Sequence, residues 1–89
     1  MIVSGDEDSA GTNPFRVTFD PYADAAYIRL ANFRPGEARA QVFVDGVPNQ
    51  ADIVLDFNAS GQLVGVEIIG ARAVLSPELL ALGVPPSQA

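Results

Sequence analysis

Two stretches of this chain limit its fold more than anything else, because each reads as a short β-hairpin. The first is Phe19-Asp20-Pro21-Tyr22-Ala23-Asp24-Ala25-Ala26-Tyr27-Ile28-Arg29-Leu30. The second runs from Ile53 to Ile69 around Asn58-Ala59-Ser60-Gly61. In both, apolar residues recur at every second position on either side of a turn. That period of two marks strands with one face buried.

The same period extends the reading to five strands. Phe15, Val17 and Phe19 alternate with Arg16, Thr18 and Asp20, and Asp20-Pro21 stops the run because proline has no ladder donor. Ala26, Ile28 and Leu30 share a face, with Tyr27 and Arg29 opposite. Asn32 to Gly36 reads as a turn carrying Pro35-Gly36. Ala38, Ala40, Val42 and Val44 follow as the inward face of a third strand, and Asp45 to Gln50 as a loop. Ile53, Leu55 and Phe57 then face Val64, Val66 and Ile68 across a four-residue loop with Gly61 at positive φ. Ser76-Pro77-Glu78 opens a short helix with a serine cap and a proline in its first turn, and Gly83 ends it.

The predicted fold is α+β and mainly β: a five-stranded antiparallel meander with a short C-terminal helix. The predicted boundaries are a disordered leader over 1–14, one β-rich domain over 15–83 and a disordered tail over 84–89. A helix of seven residues is roughly 10 Å long, against a five-stranded sheet roughly 20 Å wide. Either the sheet curls into a partial barrel or a second copy covers it, and the apolar residues on the other face, Tyr27, Phe43, Val54, Leu63 and Ile69, point to completion by dimerisation.

Composition narrows the function classes. Only one domain fits in 89 residues. A chain this short buries too little surface for a comfortable margin of stability, so small proteins add disulfides, a metal or self-association. With no cysteine and no histidine, the first route is closed and the second lacks its commonest ligand. Eleven acids against five arginines and no lysine leave a net charge of −6. That balance lacks the basic footprint of a nucleic-acid binder and disfavours an anionic membrane surface. No apolar run approaches a membrane span, and Ser4-Gly5-Asp6-Glu7-Asp8 follows the start too soon for a signal peptide, so the expected location is the cytoplasm.

The two hairpin phrases resemble the small bacterial family catalogued as domain of unknown function 2283. Phe19, Asp20, Pro21, Ala23, Asp24, Tyr27 and Ile28 match its opening phrase. Asp56, Gly61, Leu63, Val64, Gly65, Glu67, Ile68, Gly70 and Ala71 match its closing one. The likeness covers about Phe15 to Leu75, with Tyr22 where an acid is common and Ala26 where a larger aliphatic is common. The family has no assigned activity, so the resemblance implies a fold and, through toxin-like neighbours, an antitoxin-like partner role.

Seven residues stand out as candidate functional or interface positions: Asp20, Asp24, Tyr27, Phe43, Asp56, Gly65 and Glu67. Asp20 and Asp24, four apart across a turn, have the oxygen ligands calcium or magnesium prefers. Asp20 before proline equally suits an Asx-turn or cap, which is the favoured reading. Glu67 and Asp56 share a sheet face with Arg16, Arg29 and Arg39, as expected of cross-strand ion pairs. Tyr27 is expected to pack with its hydroxyl bonded, and Gly65 to let an aromatic lie against the backbone. The serines have no histidine or lysine to activate them, and the glycines form no phosphate-cradling loop.

No catalytic residue, metal ligand or cofactor site is assigned from sequence. The leading expectation is a homo-oligomeric protein–protein interaction module, a homodimer or larger, with a small protein as further partner and neither nucleic acid nor membrane. Two alternatives remain: a small-molecule or metal-ion binding protein, and a carboxylate-based enzyme built on Glu67.

Overall fold

A computed structural model describes residues 15–32 and 38–88. Five strands form one antiparallel sheet: β1 (Arg16–Asp20), β2 (Ala25–Arg29), β3 (Ala40–Phe43), β4 (Asp52–Phe57) and β5 (Leu63–Ile69). Two short helices follow, α1 (Ala71–Val74) and α2 (Pro77–Ala81). Five antiparallel strands with a C-terminal helical segment is the architecture the alternation predicts. The leader expected over 1–14 lies outside the described residues, as does most of the Pro35-Gly36 turn.

The strand order is β1-β2-β5-β4-β3, which departs from a simple meander at one connection. After β2 the chain travels to the far edge, and β5 returns to lie between β2 and β4. Burial explains the exchange. Val64, Gly65 and Ile68 of β5 are buried, whereas every residue of β3 is exposed. The strand with most to hide takes the centre, where neighbours on both sides also satisfy its backbone groups.

The main core lies on one face. Ala26, Ile68 and Ala71 are buried there, packed by Phe19, Ile28, Ile53, Val66, Val74, Leu75 and Leu80. The helical segment thus covers the sheet around β1, β2 and β5. It leaves β3 bare, with Val42 48% and Phe43 70% exposed. Ser76 caps α2 as expected, its Oγ accepting the Leu79 N–H at 3.1 Å. The turn over Asn58-Ala59-Ser60-Gly61 also forms, within a β4–β5 connection of five residues rather than four (58–62), with Gly61 at φ 78° and the Asn58 side chain accepting the N–H groups of Ser60 and Gln62.

Beyond Gly83 the chain runs back along β1. Val84 forms a parallel bridge with Thr18. Its carbonyl accepts the Phe19 N–H at 2.9 Å and its N–H donates to Val17 O at 3.1 Å. A single 3-10 turn, Pro86–Gln88, ends the segment. The expected tail over 84–89 therefore begins with a residue that closes the outer edge of β1. Gly83 permits the approach, since a Cβ there would stand 2.7 Å from Phe19 Cβ.

Candidate functional site

The seven candidate residues fall into two clusters and one outlier. Tyr27, Gly65, Asp56 and Glu67 meet on the sheet face opposite the helices. Asp20 and Asp24 stand together at the β1–β2 turn. Phe43 lies on the β3 edge.

The first cluster is built by register. Gly65 pairs with Arg29 on one side and Asp56 on the other, while Glu67 pairs with Tyr27 and Val54. The β4–β5 ladder shifts here, from Asp56↔Gly65 to Phe57↔Leu63, leaving Val64 as an extra residue in β5. A Cβ on Gly65 would stand 2.4 Å from the Tyr27 ring carbon Cζ, with the hydroxyl closer still. The missing side chain of Gly65 is thus the channel through which the Tyr27 ring crosses β5. Beyond it, the hydroxyl donates to Asp56 Oδ2 at 2.9 Å. Gln41 on β3, which the sequence does not single out, donates its amide to Asp56 Oδ1 at 2.9 Å. One polar chain therefore runs over β2, β5, β4 and β3.

Asp56 is only 6% exposed, so its carboxylate depends on these donors. The donors to Asp56 are two neutral side chains, Tyr27 and Gln41, where the alternation points to arginines. The pKa of Tyr27 is pushed well above the ordinary phenol value. Burial contributes most, then the hydrogen bond to Asp56 and the negative charges of Asp56 and Glu67, with Arg29 opposing. Tyr27 is therefore a neutral donor at physiological pH, fixed in place and ill suited to act as a phenolate.

At the turn, both carboxylates serve the backbone. Asp20 Oδ1 accepts the N–H groups of Tyr22 at 2.9 Å and Ala23 at 3.3 Å, which is the favoured turn reading. Asp24, at φ 52°, accepts the Arg72 N–H at 3.0 Å through Oδ1. Its own carbonyl takes the Gly70 and Ala71 N–H groups at 2.9 and 3.0 Å. It thus caps α1 from across the fold. The Arg72 guanidinium returns to Asp24 Oδ1 at 3.5 Å, donates to Pro21 O at 3.2 Å and lies 5.2 Å from the Phe19 ring centre. Arg72 completes this lock and is not legible locally, because its partners Asp24, Pro21 and Phe19 lie some fifty residues earlier. Among the described residues, no group of three or more Asp or Glu is placed to hold a metal ion. No helix among them is long and apolar enough to cross a membrane.

A family model described as Protein of unknown function (DUF2283) matches residues 16–72, from the start of β1 to the arginine of the lock. No curated protein and no solved structure matches the chain.

Proposed function

The chain belongs to the DUF2283 family, and from the two edges of its sheet we propose that it is a protein–protein interaction module of the cytoplasm, homo-oligomeric and working through strand addition. One observation carries the reading: the edges are treated differently. β1 is closed by the chain's own Val84. β3 carries Ala40, Gln41, Val42 and Phe43, all exposed and none charged, and no described strand pairs with its outer side.

Protein edges normally carry a charge, a proline, a bulge or a covering segment, because an open ladder recruits other strands. β3 has no charge, proline or bulge within its span, and no described segment covers it. An incoming strand would gain main-chain hydrogen bonds along it and contacts to Val42 on one face and Phe43 on the other. The small-molecule alternative has less support. Oδ1 of Asp20 and Oδ1 of Asp24 already accept backbone N–H groups, and the Tyr27 hydroxyl already donates to Asp56.

The test is amide hydrogen exchange on the protein isolated from its own cytosol without denaturing steps. The N–H groups of Gln41 and Phe43 are expected to be protected. Exchange at the rate of unpaired backbone would sink the reading.

A further inference from the structure

Strand addition at β3 leaves open which strand is added, and the residues flanking β3 answer that. This step rests on the interaction reading above. Val44, just past β3, donates its N–H to Ile53 O on β4 at 3.0 Å. Alternation along an antiparallel ladder then turns the peptide groups of Gln41 and Phe43 towards the open side. The sequence around them is Arg39-Ala40-Gln41-Val42-Phe43-Val44-Asp45. It has a cation at one end, an anion at the other, and five uncharged residues between.

We propose that two copies of this chain pair antiparallel through β3 about a two-fold axis at Val42. Gln41 of each copy then forms the hydrogen-bonded pair with the partner's Phe43, matching the peptide groups that point outward. Val42 lies opposite itself, and Ala40 lies opposite the partner's Val44. Just past the ladder at both ends, where the Arg39 N–H turns back to Phe57 O at 2.8 Å, the charge of Arg39 comes beside the partner's Asp45. Within its own chain, and among the described residues, neither Arg39 nor Asp45 makes a salt bridge.

Charge selects this occupant. A chain of net charge −6 repels its own copy. Contact along β3 brings together the uncharged stretch, with an opposite-charge pair at each end in place of a like-charge one. Shifting the strands by two residues either way loses that match. A shift by one would pair inward-pointing peptide groups with outward-pointing ones. An acidic chain thus carries a self-complementary edge, and an isologous contact of this kind closes after two copies.

The experiment is a charge swap read by sedimentation velocity on the full chain. The unaltered protein is expected to be a dimer at micromolar concentration. Asp45→Arg alone, and Arg39→Asp alone, each set like charges against each other at both ends and should shift the chain towards monomer by at least tenfold in dissociation constant. Arg39→Asp together with Asp45→Arg restores the opposite-charge pairs and should restore the dimer.

A second readout needs no loss of stability. The chain has no cysteine, so Val42→Cys supplies a single thiol. Opposite residues of a non-hydrogen-bonded antiparallel pair lie about 4.5 Å apart at Cα, within disulfide reach. Val42→Cys should therefore oxidise to a covalent dimer far faster than Phe43→Cys. A folded double swap that stays monomeric, or equal oxidation rates for the two cysteines, would overturn the proposal. So would an unaltered chain that is monomeric throughout. If Gln41 and Phe43 were protected only in complex with a different protein, the interaction reading would stand and the second-copy proposal would fail.

Discussion

At Gly65 the structure turns on one absent atom. Any side chain there displaces the Tyr27 ring, breaks its hydrogen bond to Asp56 and leaves a buried carboxylate short of a donor. Gly65→Ala should lower unfolding stability by about 2–4 kcal/mol in urea denaturation, combining overpacking with a lost buried partner. Tyr27→Phe keeps the packing and removes only the donor, so a smaller loss of about 1–3 kcal/mol is expected. The two losses should not add, because both remove the same bond. Tyr27 also predicts a pH dependence. Its folded pKa is raised above its ordinary value of 10.0. Above that pH the unfolded chain releases this proton while the folded chain retains it. The stabilisation is thus complete below pH 10 and fades as pH rises towards the folded value. Alkaline denaturation should show that decline, and Tyr27→Phe should flatten it; equal slopes in the two proteins would remove this account.

Among the elements, α1 is the one that cannot stand alone. It has four residues, Ala71–Val74, and Gly70 before it brings no capping side chain. Its cap comes from Asp24, 48 residues earlier. Asp24→Ala removes that acceptor and places a less tolerant residue at φ 52°. A loss of about 1–2 kcal/mol is expected by thermal melting. Asp24→Asn keeps an acceptor and tolerates the left-handed backbone, so most of that stability should remain. The Arg72–Asp24 ion pair is largely solvated and contributes about 0–1 kcal/mol, so adding salt should change little. If Asn were as damaging as Ala, charge would outweigh the cap. The phrase from Phe19 to Asp24 therefore acts as a latch between the first hairpin and the first helix, through an Asx-turn and a remote cap.

For the molecule as a whole, the proposed association turns on the two sheet edges. Val84 closes β1, and no described strand pairs with the outer side of β3. Ending the chain at Gly83 removes that closure and leaves a second open edge. Such a truncation is expected to assemble beyond a closed pair, seen as a rise in light scattering with concentration, because two open edges allow head-to-tail growth. If scattering matched the full chain, Val84 would be dispensable as an edge guard. The family match ends at residue 72, so α2 and this closing segment lie beyond it.

The sequence by itself determined the local elements. Alternation placed all five strands, Asn58 to Gly61 set the β4–β5 loop, and Ser76-Pro77 opened α2, because each signal lies within a few consecutive residues. Asp20, with its partners two and three residues away, was legible for the same reason. Tertiary structure alone decided the rest. Strand order follows from how much each strand must bury, a comparison across the sheet that no local window makes. α1 depends on a cap 48 residues away. Only the register brings Gln41 to Asp56. The edge that Val84 closes belongs to the first strand of the sheet. The period-two pattern says which residues share a face, and long-range pairing says which of them touch.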